Sequence, residues 1–171
     1  MKKHLSFCLL PFAFLLVTFS SCKVNYSFSG ASVSPDVKTV SIQTFKNSST
    51  LAPPTLSQSL TEAVKDIFTS QTNLGIVSTS GDLNFDGEIT NYLTSPVAIQ
   101  SNDQAALNRL TISASVKFTN AKDEKKNFET TFSRYADYSS TQSLSAVQES
   151  LIAEINKQLV QDIFNKAMIN W

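Results

Sequence analysis

Residues 109–118 carry the strictest hydrophobic pattern in this sequence, and they constrain the fold more than any other stretch. Every second residue from Leu110 to Phe118 is apolar, and the residues between them are Thr, Ser and Lys. A period of two places successive side chains on opposite faces of a β-strand. The pattern therefore predicts a strand with one buried and one solvated face, in a sheet that other elements cover on one side only.

Two neighbouring segments, 83–93 and 127–138, predict further strands. Their apolar positions are Leu83, Phe85, Ile89, Phe128, Phe132, Ala136 and Tyr138. Charged residues dominate the connection at 120–126, so we expect a β-hairpin there. The strand segments are close enough in sequence to form an antiparallel meander, and Ser95-Pro96 is expected to end its first strand.

Two segments with helical spacing of apolar residues predict the covering layer. One runs from Leu56 to about Thr72, and the other carries an apolar stripe from Val147 to Met168. A β-branched run at 37–45 predicts a first strand. Together the elements predict an α+β, two-layer sandwich with two helices on one face of a four-stranded mixed sheet, in the order β-α-β-β-β-α. The first two strands should be parallel.

The N-terminal residues have the layout of a secretory signal peptide. Two lysines precede a mostly apolar run from Leu5 to Phe19, and small serines then lead to Cys22. The apolar run is shorter than the ~20 residues of a membrane-spanning helix. The residues before Cys22 fit a lipoprotein processing site, with Phe19 where leucine is usual. We predict that residues 1–21 are removed as a lipoprotein signal peptide and that Cys22 is acylated.

Acylation of Cys22 would attach the protein to a membrane, because two or more acyl chains hold a protein stably on a bilayer. The alternative is an ordinary signal peptide that leaves Cys22 as a free thiol. Residues 22–36 are rich in serine and predict a lipidated N-terminal tether, and residues 37–171 predict a single α/β sandwich domain. Lys23 stands where an aspartate could act as an inner-membrane retention signal. We therefore expect the outer membrane. No acidic run of the kind that directs some lipoproteins to the cell surface follows Cys22, so we expect the periplasmic side.

Composition excludes several classes of function once the signal peptide is set aside. Without Lys2 and Lys3, 12 basic residues remain against 14 acidic ones, a net charge of −2 that argues against nucleic-acid binding. His4 and Cys8 also lie in the signal, so the mature chain has no imidazole and, with Cys22 acylated, no free thiol. Ser-His and Cys-His catalysis and zinc sites built on His or Cys are thereby excluded. We expect no enzyme activity, no cofactor and no metal.

Residues 82–87 match the first half of an EF-hand calcium loop, D-x-N-x-D-G. The twelfth position of that loop needs a bidentate glutamate, and Leu93 stands there. The apolar alternation of the segment instead favours a strand. On its polar face, Asp86 and Glu88 could act as the acid and base of a carboxylate hydrolase, but a solvated polar face is the simpler interpretation.

Several short motifs follow the lipoprotein processing site in a fixed order. They are YSFSG at 26–30, TVSI at 39–42, LTEA at 60–63, GEITNY at 87–92, NRLTI at 108–112 and the Ile-Phe pair at 163–164 of the closing helix. This ordered set resembles the LptE family of lipopolysaccharide-assembly lipoproteins, over nearly the whole mature chain. The two-layer fold predicted above is also the fold that the resemblance implies.

The resemblance implies an outer-membrane lipoprotein that sits as a plug inside the β-barrel LptD and helps deliver lipopolysaccharide to the outer leaflet, without enzyme activity. Lipopolysaccharide carries phosphates, so basic residues on exposed strand faces and loops are the plausible contacts with it or with the barrel. These candidates are Arg109, Lys117, Lys122, Lys125 and Lys126.

Two alternatives stay open. Arg109 and Lys117 could instead pair with Asp86 or Glu88 across the sheet, while the loop lysines keep the hairpin soluble. At the level of function, the alternative is a periplasmic binding or pilot lipoprotein that escorts another outer-membrane client without contacting lipopolysaccharide.

Overall fold

A computed structural model of the chain describes residues 33–97 and 107–168. The elements are β1 (Thr39–Ile42), β2 (Lys46–Asn47), α1 (Pro54–Gln71), β3 (Gly75–Val77), β4 (Leu83–Val97), β5 (Leu107–Asn120), β6 (Phe128–Ser139) and α2 (Leu144–Met168), with a 3₁₀ turn at Glu124–Lys126. The predicted signal peptide, the acylation of Cys22 and most of the predicted tether lie outside the described residues, so they stay predictions.

The strands form one mixed sheet in the order β3-β1-β4-β5-β6, and β2 pairs with β4. β4, β5 and β6 are antiparallel neighbours, which confirms the predicted meander. β1 is parallel to both β3 and β4, as expected for strands joined through a helix. The α+β class with two helices is confirmed, whereas the prediction of four strands is wrong, because the sheet has six in the described part.

The two additional strands have local causes. The strand predicted at 37–45 is shorter, Thr39–Ile42, and β2 follows it as a separate two-residue strand beyond the predicted range. Phe45 turns its ring into the core, and its backbone N–H donates to Thr61 Oγ1 of α1 at 3.0 Å. β3 is three residues long, which is too short for a hydrophobic period to reveal it.

The helices cover one face of the sheet through a continuous apolar core. Aromatic rings join the layers: the Phe68 centroid lies 5.0 Å from that of Phe85 and 5.2 Å from that of Phe164. The Phe85 ring in turn lies 4.8 Å from that of Phe118 on β5. Tilted and edge-on arrangements at these distances are favourable for aromatic pairs. The predicted alternation of β5 is confirmed, because its apolar residues face this core.

A β-bulge at Thr90 reverses the alternation of β4. Before the bulge Ile89 faces the helices, and after it Tyr92 does, at 4% exposure. Leu93 consequently turns to the opposite face, where it is 49% exposed. An extra residue in one strand shifts every later side chain of that strand to the other face.

The predicted strand end at Ser95-Pro96 is wrong. β4 continues to Val97, and Pro96 lies opposite Asn108 of β5 in the register. Proline lacks an N–H and is tolerated where one side of a strand is unpaired. Within the described residues, β4 has β5 as its strand partner beyond Ile89 and no strand on its other side.

Gly87, the last residue of the D-x-N-x-D-G motif, has a packing role. The Phe45 ring lies against it, and a Cβ at position 87 would meet ring atoms at 2.5 Å. Residues 83–87 belong to β4, so the motif does not form a calcium-binding loop. The glycine allows the ring to reach the core between α1 and the sheet.

Gly87→Ala should lower the free energy of unfolding by about 1–3 kcal/mol, because the added methyl group and the Phe45 ring compete for the same space. Chemical denaturation followed by circular dichroism measures this. Gly75→Ala is the matched control, since a Cβ there would have the Lys38 carbonyl oxygen at 3.8 Å as its nearest neighbour. Equal losses of stability in the two variants would contradict the packing role.

Candidate interaction surface

The face of the sheet opposite the helices, termed the open face, carries short polar side chains along its centre. The cross-strand neighbours there are Thr111 with Tyr135, Ser113 with Ser133, and Ser115 with Thr131. Ser113 Oγ donates to Ser133 Oγ at 2.9 Å, which joins β5 to β6 on this face. The polar half of the predicted alternation in β5 therefore lies on the open face, as expected.

Arg109 forms a tight cluster at one end of the open face. Its Nε and Nη2 donate to the two carboxylate oxygens of Asp137 at 2.7 and 2.9 Å. Its guanidinium carbon lies 3.6 Å from the centre of the Tyr135 ring. The paired hydrogen bonds lower the pKa of Asp137 and raise the pKa of Arg109. A pairing of Arg109 with Asp86 or Glu88 is wrong, because the cross-strand neighbour on β6 supplies the carboxylate.

Lys117 lies toward the other end of the open face. In the strand register it stands between Asp86 of β4 and Glu129 of β6. Asp86 and Glu88 share this face, as predicted, and they line a shallow depression together with Lys46 and Lys117. Glu129 also lines this depression, so three carboxylates share it with two lysines, an arrangement typical of a solvated, charged sheet surface.

Asp82 joins β1, the start of β4 and the β5–β6 loop. Its Oδ2 accepts hydrogen bonds from the backbone N–H of Lys38 at 2.9 Å, and from the N–H and hydroxyl of Thr39 at 3.1 and 3.0 Å. Its Oδ1 lies 3.1 Å from Nζ of Lys122. These donors, the Lys38 N–H foremost, hold the pKa of Asp82 well below its ordinary range. The first predicted loop lysine therefore has a structural ion-pair partner.

Side-chain hydrogen bonds shape the loop that carries the three predicted lysines. Asn120 Oδ1 accepts from the backbone N–H of Lys122 and of Asp123 at 2.8 and 3.0 Å. Asp123 Oδ1 accepts from the Lys125 N–H at 3.2 Å, and Asp123 Oδ2 lies 3.8 Å from Nζ of Lys126. The loop thus presents its lysines from a hydrogen-bonded scaffold.

The structure divides the five predicted contact residues between two ends of the sheet. At about 3.4 Å per residue, the part of β5 between Arg109 and Lys117 spans roughly 27 Å. Lys117 and the lysines of the loop lie toward the end where β1 and β4 begin, because Asn120 pairs with Leu83. Arg109 therefore cannot share a single small ligand site with the loop lysines.

Two features of the surface had no signal in the sequence. Leu93 and Tyr135, 49% and 50% exposed, stand on either side of Thr111 on the open face. Their proximity depends on the bulge and on the strand register. On the helix side, Arg134 donates to both carboxylate oxygens of Asp162 in α2 at 2.5 and 2.7 Å, which raises the pKa of Arg134.

The helices also form a shallow groove on their outer side, bridged where Asn156 Nδ2 donates to Ser59 Oγ at 3.1 Å. The interpretation that the apolar stripe of α1 covers the sheet agrees with full burial of Leu60 and Phe68. In the described part of the chain, no helix has both the length and the apolar character needed to cross a bilayer.

Comparison with known proteins identifies the class. The chain belongs to the LptE family, described as lipopolysaccharide assembly, whose family model matches residues 37–167. The suggested resemblance is thereby confirmed. The family is one of assembly proteins and not of enzymes. Among curated protein sequences, none matches this chain.

Solved structures share the fold at low sequence identity. A hypothetical protein from Chlamydia trachomatis is 10% identical, with a TM-score of 0.53 over 77% of this chain and 98% of that chain. A protein from Xanthomonas campestris is 12% identical, with a TM-score of 0.53 over 81% and 91%. A minor lipoprotein from Acinetobacter baumannii is 14% identical, with a TM-score of 0.48 over 74% and 94%. The first two likenesses support the fold alone.

The environment of Asp82 predicts a pH-dependent contribution to stability. Its pKa in the folded chain lies below the ordinary value of 3.8, so the contribution is present above about pH 4 and is lost as the pH falls toward the folded value. The gap in unfolding free energy between wild type and Asp82→Asn should therefore narrow below pH 4. Lys122→Met removes the lysine's contact with Asp82 but keeps the donors from Lys38 and Thr39, so a smaller pH dependence of the same sign should remain. A gap that stays constant to pH 2 would contradict this assignment.

Proposed function

We propose that this chain is an outer-membrane lipoprotein that sits as a plug in the β-barrel LptD and assists the transport and assembly of lipopolysaccharide into the outer leaflet. Acyl chains on Cys22 anchor it on the periplasmic side. The family match over residues 37–167 carries the proposal, because lipopolysaccharide assembly is the process that the family description names. The protein acts by binding its partners and not by catalysis.

The shape and surface of the domain support a plug. A body inside a barrel has to keep its form, and the aromatic core between helices and sheet favours a single rigid packing. The lumen of a large outer-membrane barrel is polar. Among the described residues, few large hydrophobic side chains are exposed: Leu51, Ile76, Leu93 and Tyr135. A mostly polar exterior is compatible with a polar wall.

The position of the tether supports contacts by the loop lysines. The chain enters the domain at β1, where Asp82 binds Lys38 and Thr39 on one side and Lys122 on the other. The β5–β6 loop therefore lies at the end of the domain where β1 begins. Lysines at this end are well placed for phosphate groups near the membrane anchor. Lys125 and Lys126 are the residues to test, because the ion pair of Lys122 with Asp82 joins the loop to β4, whereas that of Lys126 stays within the loop.

Tagged full-length protein, purified from detergent-solubilised outer membrane, should retain a large β-barrel protein in stoichiometric amount, identified as LptD by mass spectrometry. Stoichiometric recovery is expected because the domain is proposed to stay inserted in the lumen of the barrel. Cys22→Ser is the matched control for anchoring, since it removes the acylation site and should move the chain out of the membrane fraction. Recovery of intact lipoprotein with a different partner, or with none, would refute the plug and favour the escort alternative.

Charge reversal in the loop tests the lipopolysaccharide contacts. The double variant Lys125→Glu/Lys126→Glu should bind lipopolysaccharide about tenfold more weakly than wild type, because two cationic phosphate contacts are replaced by repulsion. Lys65→Glu/Lys157→Glu, with the same charge change on the helices, is the control and should bind as wild type does. If the two double variants bind lipopolysaccharide with equal affinity in a titration, the loop lysines do not contact lipopolysaccharide.

A further inference from the structure

The sheet has four strand edges without a strand partner in the described part of the chain, and three of them are protected. β2 and β3 are only two and three residues long. The free side of β4 beyond Ile89 contains the bulge at Thr90 and Pro96. Short strands, bulges and prolines are the features that keep edges from pairing with other chains. β6 has none of them: it runs for 12 residues, without proline, in unbroken register with β5.

The charges of β6 are balanced within the chain and do not protect its edge. Arg134 binds Asp162 of α2 through two hydrogen bonds. Asp137 binds Arg109 of β5 in the same way. Glu129 stands opposite Lys117 in the register. A second strand approaching this edge therefore meets backbone donors and acceptors without a net repulsive charge.

Symmetry limits how β6 could pair with a second copy of itself. A two-fold axis perpendicular to the sheet keeps the helix-covered faces of both copies on one side, so each residue lies opposite another on the same face. The axis must then pass midway between the two copies of one residue. Only axes at Ser133 and Arg134, next to the centre of Phe128–Ser139, allow nearly the whole strand to pair. An axis at Arg134 would place two guanidinium groups opposite each other.

An axis at Ser133 gives compatible neighbours along the strand. Phe128 lies opposite Tyr138, and Thr131 lies opposite Tyr135, which are favourable pairings of aromatic and β-branched side chains. The outermost carboxylates are the exception, because Glu129 would face Asp137 of the other copy. Each of these carboxylates has a cation from its own chain beside it in the register.

We propose that the chain, when free of its barrel partner, forms a two-fold symmetric dimer through antiparallel pairing of β6 with β6 of a second copy. The two Ser133 residues then face each other across the axis. The two sheets then continue into one, and each edge satisfies the backbone groups of the other. The dimer is separate from the plug function and can fail without affecting it.

Disulfide trapping tests the register. Directly opposite residues have Cβ atoms about 4.5–5.5 Å apart, close enough for a disulfide after small adjustments. Full-length Ser133→Cys, purified in detergent without LptD and mildly oxidised, should therefore run as a covalent dimer. Thr131→Cys and Tyr135→Cys are matched exposed positions on the same strand. Each should stay monomeric alone, because its symmetry mate is about 13 Å away along the strand. The double variant Thr131→Cys/Tyr135→Cys should crosslink. Wild-type protein is the control for any crosslink through Cys8 or Cys22.

Sedimentation of the unoxidised protein provides the second measurement. Wild type should be a dimer at micromolar concentration, and Ser133→Lys should dissociate at least about tenfold more readily because like charges meet at the axis. Ser115→Lys, on β5 of the same face, is the control and should remain dimeric. A monomeric wild type would overturn the proposal. So would equal crosslinking of the Thr131→Cys and Ser133→Cys single variants, or a strand of a different protein bound along β6 in the purified material.

Discussion

The packing of Phe85 between the layers is the contact on which the rest of the structure depends. Its ring touches Phe68 of α1 and Phe118 of β5, and Phe68 in turn touches Phe164 of α2. Complete burial of one such ring contributes roughly 2–3 kcal/mol before the loss of conformational entropy is counted. Because these rings all lie on one side of the sheet, both helices are held there and the other side is left to polar residues.

One-sided covering has two consequences for function. It produces an open face whose centre consists of hydroxyl side chains, and a polar surface of this kind is compatible with the proposed polar barrel wall. It also leaves long strand edges at the rim of the sheet, which the bulge and Pro96 protect on β4 and nothing comparable protects on β6. β1 begins beside Asp82 and the lysine loop, and the proposed function assigns this end of the domain to the membrane side.

The sequence was sufficient to predict the parts of the fold that follow from local periodicity. The alternation at 110–118 identified the buried face of β5, and the stripe from Leu56 identified α1. The bulge at Thr90 and the short β3 were missed, because neither changes the residue pattern enough to be recognised in a single sequence. The candidate basic residues were chosen from their charge and predicted exposure. Which of them lie together on the surface could not be predicted from the sequence. Arg109 selects Asp137 through the strand register, a relation that links residues 28 positions apart.

A single-particle structure of the lipidated protein copurified with LptD would show directly whether the domain is a plug. We expect density for the α+β domain inside the barrel lumen, with the β5–β6 loop toward the periplasmic rim. A complex in which the domain lies wholly outside the barrel would contradict the plug, even if the two proteins copurify.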